Sequence, residues 1–349
     1  MSKNPKIQSY KMRNKIIRNR NKNFKDSTVP VNVMKKNWDF LIILDACRYD
    51  YFERIYRQNE NLFNGKLFKY KSIASSTMEW RNKSFKGYYN DIVYISTNPY
   101  INSTVSVENF LGKDHFFKVY DIWNEGWDQK ENTVLPDTVT NSVINLIKKH
   151  PDKRFIIHYV QPHAPYINLD LKNKEVYTFR FRSDIMKALN KTSNDYNGKK
   201  SLRLKIIDKF LLHFNKLKKS INRADWILGN QPKWKLREYF RLEPLSPMDA
   251  VRRIYGDEGL KKAYMNNLKL VLKSVLKLLK HLTGKIVITG DHGELLGENG
   301  CYSHLNGSNN PYLKFIPWLE IKKSSGQMKF LKEDLLINTL KLSDFSLKI

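Results

Sequence analysis

The chain has few acidic residues and almost no cysteine. Its 349 residues carry 34 Asp+Glu against 62 Lys+Arg, a formal net charge of +28. That imbalance favours an anionic partner, whether nucleic acid, a lipid surface or a phosphorylated substrate, and does not choose among them. Cys47 and Cys301 are the only cysteines. They exclude a disulfide scaffold and a four-cysteine zinc module, and they fit a reducing compartment. Long apolar runs are also missing: Phe40–Leu44 and Phe155–Val160 fall far short of a bilayer's thickness. No apolar segment backs the basic N-terminal residues, so no secretory signal is read and a cytoplasmic chain is expected. The 41% of hydrophobic and 13% of aromatic residues still suffice for a packed core, which excludes wholesale disorder.

Residues 1–37 hold eleven Lys/Arg and one acid, Asp26. Residues 1–36 therefore read as a basic flexible tail, able to touch an anionic membrane peripherally. Beyond it, short apolar runs predict strands at Asp39–Leu44, Phe68–Ala74, Asp91–Ser96, Phe116–Ile122, Arg154–Val160 and Lys285–Thr289. Most lack in/out alternation, the mark of a sheet covered on both faces. Helical spacing appears over Thr138–Lys149 and over Gly259–Leu282, with Gly284 as the stop. Strands alternating with helices predict an α/β fold, a doubly wound, mostly parallel sheet with helices on both faces. Residues 170–250 differ, with nineteen Lys/Arg against nine Asp/Glu, and read as a basic helical insertion into a single domain spanning 37–349.

Ligand-type residues follow several predicted strands, the edge at which open parallel sheets bind their ligands. They are Asp45 in LIILDACRYD, His163 in FIIHYVQPHAPY, and Asp291-His292 in KIVITGDHGELLGENGCYSH, with His304 twelve residues beyond His292. Each alone reads as a turn or packing residue; together they suggest a site for zinc or manganese, with calcium or magnesium as further candidates. The run Ser75-Ser76-Thr77-Met78-Glu79 follows another strand. Ser76 and Glu79 have capping-box spacing, and a hydroxyl at a helix N-terminus lies in positive potential beside free N–H groups. The nucleophile is placed at Ser76 first, then Thr77, then Ser75. His158, inside a predicted strand, reads as core. Cys47 and Cys301 read as packing residues, and Glu298 and Asn299 as loop-shaping ones.

GDHGELLGENGCYSH resembles the signature of the alkaline phosphatase/sulfatase superfamily, most of all its phosphoethanolamine-transferase and sulfatase-like branches. PHAPY looks like the PH-x-PY element of these enzymes, and LDACRYD occupies the place of their first metal-binding acid. The resemblance implies an alkaline phosphatase-like fold and one or two divalent ions. It implies that Asp45, Asp291 and His292 hold one metal together with the nucleophile. His163 and His304 would serve a second metal or the substrate's oxyanion, His163 thereby counting among the catalytic residues, and Arg48 would bind substrate. Formylglycine-forming sulfatases need Cys-x-Pro-x-Arg, or Ser in place of Cys. Ser76-Thr-Met-Glu-Trp80 lacks both Pro and Arg, which points to a hydroxyl nucleophile and phosphoryl chemistry.

The function expected is a metal-dependent hydrolase or transferase of phosphate esters, with sulfate esters in second place. It would act through a covalent intermediate, on a cell-surface glycan or lipid precursor by family analogy. The competing reading is a non-catalytic binder of nucleic acid or another polyanion. Basic residues interleaved with aromatics motivate it: Trp226, Trp234, Arg237, Tyr239 and Arg241. No nucleic-acid motif accompanies them, and a binder has no need of the Asp/His set.

Overall fold

Five apolar residues in a row leave a strand no face for water, and Phe40–Leu44 is buried at every position. The computed structural model describes residues 29–169, 231–244 and 246–323. Eight strands build its main sheet: β1 (Pro30–Val31), β2 (Phe40–Leu44), β3 (Lys66–Ser72), β4 (Tyr89–Ser96), β5 (Phe116–Asp121), β6 (Arg154–Tyr159), β7 (Gly284–Gly290) and β8 (Phe315–Lys323). Their order is β1-β3-β8-β7-β2-β6-β4-β5. β8 runs antiparallel to both its neighbours, and every other pairing is parallel. The fold is thus the expected α/β architecture, a mostly parallel sheet between helical layers.

Alternate residues of β2 enter different cores. Phe40, Ile42 and Leu44 join one apolar cluster with α1 (Tyr49–Gln58), α3 (Pro136–Lys149) and α5 (Pro247–Leu279). Leu41 and Ile43 join the opposite one, with Trp38 and with Trp80 of α2 (Thr77–Ser84). Each such Leu or Ile contributes roughly 1.5–3 kcal/mol relative to exposure. The helical spacing read from Leu260 to Leu278 is the buried stripe of α5, and Leu282, also buried, lies just past its end. The helix begins earlier than its apolar period, at a Ser246 cap that accepts from Asp249 N, with Pro247 in the first turn. A break at Gly256 (φ 67°, ψ −175°) separates that start from the regular stretch beyond it.

One boundary moves and one strand is added. The basic tail ends sooner than residue 36: Pro30–Val31 pairs with β3, and Val31 and Val33 are buried. β8 was missed; it carries Pro317 in mid-strand, which argues against a strand when read from sequence alone. Gln231–Tyr239 (α4), inside the expected insertion, packs on the domain: Trp234 is buried and stacks on Tyr302 with ring centroids 5.1 Å apart. Residues 1–28, residues 170–230 of the insertion and Trp226 lie outside the described residues. Both cysteines are buried thiols, and burial pushes the Cys47 thiol well up, as befits an inert packing residue.

Candidate active site

The C-terminal ends of β2 and β7, neighbours in the sheet, deliver the two aspartates side by side. After β2 the chain turns through Ala46 in the left-handed region (φ 57°), a conformation an alanine holds only under support. Tyr264 of α5 supplies it, donating to Ala46 O at 2.7 Å and accepting from Arg48 N at 2.9 Å. Ala46 N then donates to Asp291 Oδ1 at 3.0 Å, which ties the two strand ends together. After β7, Gly293 lies so close to the Tyr312 carbonyl that an added Cβ would overlap it. This is why the DHGE turn needs glycine between His292 and Glu294.

Thr77, the first residue of α2, completes the inner cluster. Its Oγ1 donates to Asp291 Oδ2 at 2.8 Å, with His292 Nε2 at 3.2 Å and Asp45 Oδ1 at 3.4 Å. Ser76 has another task. It is the N-cap, accepting from Glu79 N at 3.3 Å, and its hydroxyl donates to Asn306 Oδ1. Ser75 donates to Leu305 O at 2.6 Å and accepts from Ser308 N at 3.0 Å. The first choice of hydroxyl thus moves by one residue: Thr77, not Ser76, is the hydroxyl that faces the aspartates.

The cluster fits a divalent cation. Asp45 and Asp291 are buried, and no Lys or Arg pairs with either among the described residues. Burial and the charge of Asp291 push the Asp45 carboxyl well up, the mark of anions converging without a counter-charge. His292 is kept neutral, its pKa pushed well down by burial and then by His304. Its Nδ1 is hydrogen-bonded to Gly293 O at 2.7 Å, so Nε2 presents a lone pair to the carboxylates. Asn98, which was not anticipated, donates to Asp45 Oδ2 at 2.7 Å.

A second cluster lies at the mouth, with the ring centroids of His304 and His292 4.4 Å apart. Ligand atoms of His163, Glu294 and His304 lie within 4.8 Å of one another. Glu294, missed in the sequence, is buried beneath the two half-buried histidines. Its Oε1 accepts from His304 Nδ1 at 3.0 Å, and its Oε2 has no hydrogen-bond partner among the described residues. Burial pulls the His304 pKa down, but the Glu294 charge and hydrogen bond outweigh it and leave a net rise. His163 is lowered, by burial first. The Pro-His-Ala-Pro turn is clamped by Asn267 of α5, which donates to His163 O at 3.2 Å and Pro165 O at 2.9 Å.

Arg48 does not face the site as a substrate ligand. Its guanidinium pairs with Asp50 and Glu298, donates to Glu294 O, and lies over the Tyr51 and Tyr312 rings. It braces the loop that carries Glu294. His158, read as core, is fully buried yet stands 3.7 Å from Asp45 Oδ2 through Nε2.

The loop bearing His304 is fastened to α2 by Glu79, whose Oε2 accepts from Ser75 N at 2.9 Å and Gly307 N at 3.1 Å. Burial raises the Glu79 pKa, but Lys83 and those N–H groups outweigh it and bring it to about 2, below the ordinary 4.5. A depressed carboxyl adds stability that is fully present above the unfolded value and lost as pH falls through the folded one. The expected result is a loss of thermal stability between about pH 4.5 and about 2 that is smaller in Glu79→Gln. Melting curves across that range test it, and faster amide exchange at Gly307 in the variant would place the loss in this loop.

No protein-family model matches the chain, and no curated protein matches its sequence. Solved structures show similarity. The C-terminal periplasmic domain of EcEptC from Escherichia coli, in complex with Zn, is 11% identical at TM-score 0.46, covering 85% of this chain and 77% of that one. The C-terminal periplasmic domain of phosphoethanolamine transferase EptC from Campylobacter jejuni is 13% identical at TM-score 0.37, covering 87% of this chain and 85% of that one. The integral membrane lipooligosaccharide phosphoethanolamine transferase A (EptA) from Neisseria meningitidis is 13% identical at TM-score 0.40; 91% of this chain and 54% of that chain are covered. The chain therefore spans about half the length of that membrane protein. At these identities the likeness is one of fold. The expectation of a cytoplasmic chain is corrected on this finding, since two of these three structures are periplasmic domains. No helix among the described residues is long and apolar enough to cross a membrane.

Proposed function

We propose that the chain is a metal-dependent phosphoryl-transfer enzyme that works on phosphate esters through a covalent intermediate on Thr77. The observation that carries this reading is the position of Thr77 Oγ1. It is 2.8 Å from Asp291 Oδ2, 3.2 Å from His292 Nε2 and 3.4 Å from Asp45 Oδ1, at the start of a helix. Asp45, Thr77, Asp291 and His292 would hold the ion, and four nitrogen and oxygen donors suit zinc. What a divalent ion supplies in such a set is a lowered hydroxyl pKa and a counter-charge for the phosphate.

Thr77 Oγ1 attacks phosphorus, its proton leaving along the hydrogen bond to Asp291. The bond from phosphorus to the leaving oxygen breaks, and that oxygen takes the bonding pair and a proton. His304, raised by its Glu294 partner, is the proton donor nearest the mouth. The backbone N–H groups at the start of α2 and the rings of His163 and His304 face the equatorial oxygens. Water or an acceptor hydroxyl then attacks the phosphothreonine and restores Thr77. Were the His163–Glu294–His304 cluster to hold a second ion, with the unpartnered Glu294 Oε2 as a donor, His304 would be a ligand there and not the proton donor. The motif resemblance of GDHGELLGENG supports a surface lipid or glycan precursor as the substrate class.

The polyanion-binder reading is weakened, because Trp234 is stacked in the core and Arg237 is buried against Glu243 O, which leaves Tyr239 and Arg241 as its exposed members among the described residues. The zinc-loaded protein is expected to release p-nitrophenol from a phosphate mono- or diester, to stop on chelation and to recover with zinc. No turnover of any phosphate or sulfate ester with metal bound would overturn the reading.

A further inference from the structure

His158 is a buried titratable side chain to which the proposed reaction gives no task. It lies on β6 opposite Ile43 of β2 and Ser96 of β4, so it shares a sheet face with Tyr94. We infer that His158 is a positioning residue: held by Tyr94 as the Nε2–H tautomer, it directs that N–H at Asp45 Oδ2 and keeps Oδ1 turned to the cation. The role of Asp45 as a ligand rests on the function proposed above; the tautomer does not.

The two oxygens of Asp45 face different surroundings. Oδ1 stands 3.4 Å from Thr77 Oγ1 and 3.7 Å from His292 Nε2, on the side of the proposed centre. Oδ2 accepts from Asn98 Nδ2 at 2.7 Å and has His158 Nε2 at 3.7 Å. A carboxylate that ligates through one oxygen is oriented by whatever holds the other. Asn98 supplies one donor there, and the facing imidazole edge supplies the second. At 3.7 Å this is a charge–dipole contact, longer than a hydrogen bond.

Tyr94 decides which ring nitrogen of His158 carries the proton. Its buried hydroxyl has one hydrogen-bond partner among the described residues, His158 Nδ1 at 2.8 Å. His158 Nε2 has none. If Nδ1 carried the proton, the Tyr94 proton would lack an acceptor and a bare Nε2 lone pair would face a carboxylate. With the proton on Nε2, Tyr94 donates to Nδ1 and the imidazole N–H dipole faces the anion, so the Tyr94 proton has its acceptor and no lone pair is turned to the carboxylate. The same reasoning speaks against His158 as a metal ligand. Its Nε2 does lie within 4.8 Å of oxygens of Asp45 and Asp291. A ligating Nε2 must be bare, and that strands the Tyr94 proton.

The test is proton–nitrogen correlation spectroscopy of the full chain with ¹⁵N-labelled histidine, zinc-free and zinc-loaded, His158 being assigned by its absence in His158→Gln. The expected spectrum shows the Nε2–H tautomer of His158 in both states. An Nδ1–H tautomer, or a coordinated Nε2 after zinc addition, would overturn the inference. Zinc affinity by chelator competition is the second reading. His158→Leu should weaken it about 10–100-fold, the usual cost of losing a group that orients a ligand, whereas His158→Gln, which keeps an N–H near the Nε2 position, should stay within about threefold. Wild-type affinity in the leucine variant, or equal losses in both, would overturn it. If the leucine variant does not fold, the glutamine variant and the tautomer decide. A chain that binds no zinc would sink the proposed function, and the zinc-free spectrum would still test the tautomer.

Discussion

Thr77→Ala is expected to abolish phosphoester turnover while zinc stays bound and the fold stays intact. Deleting a covalent nucleophile has cost on the order of 10⁶-fold in a well-measured hydrolase. Thr77 supplies one of four proposed ligands, and Asp45, Asp291 and His292 remain without it. The structural cost is small, because the cap of α2 is Ser76 and not Thr77. Thr77→Ser keeps the hydroxyl and should keep measurable activity. Ser76→Ala removes the cap and the bond to Asn306, for about 0.5–2 kcal/mol, and should also keep activity. Steady-state rates with melting curves distinguish these outcomes. An inactive Ser76→Ala beside an active Thr77→Ala would reverse the assignment.

Asp291→Asn is expected to lose the zinc site and yet leave the zinc-free protein at least as stable as wild type. The amide oxygen can still accept from Ala46 N and His292 N, which Asp291 Oδ1 now serves at 3.0 and 2.9 Å. The charge facing Asp45 is gone, and that charge is a principal cause, after burial, of the raised Asp45 pKa. Wild type should gain about 2.7 kcal/mol at zinc a hundredfold above its dissociation constant, and the variant should gain nothing. Thermal melts with and without zinc, beside metal analysis, measure this. Full zinc occupancy in the variant would remove Asp291 from the centre.

Asp45 and Asp291 were legible because they sit where a strand's apolar run stops. FLIIL ends at Asp45 and KIVITG at Asp291, and a run buried on both faces leaves its polar chemistry to the strand ends. His163 and His304 were legible through motif spacing. Glu294 was in view inside DHGE, but which residues of a turn face inward depends on Gly293 pressing against the Tyr312 carbonyl, a contact made far along the chain. The choice between Ser76 and Thr77 is the choice between a cap and the first helical residue. One step along a helix turns a side chain by about 100°, and no pattern of residue types fixes that step.

His158 was out of reach for a different reason. An apolar strand with one histidine reads as core, and core is what most of its surroundings are. Its function-bearing edge exists only because β6 lies between β2 and β4, which places Asp45 on one side and Tyr94 on the other. Arg48 fails in the opposite sense. The family resemblance implied a substrate contact, but Asp50 two residues on and Glu298 from the distant loop take its guanidinium. β8 was hidden by Pro317, which lies just before the register with β7 begins, at Trp318 opposite Thr289.

The most direct test is to identify the residue that carries the phosphoryl group. The zinc-loaded protein is mixed with a phosphate ester, quenched in acid during turnover, digested and mapped by tandem mass spectrometry. The account predicts a phosphoryl adduct on Thr77, absent from Thr77→Ala and from protein stripped of zinc. An adduct on Ser75 or Ser76, or an unmodified 75–77 segment in a protein that is turning over, would contradict it.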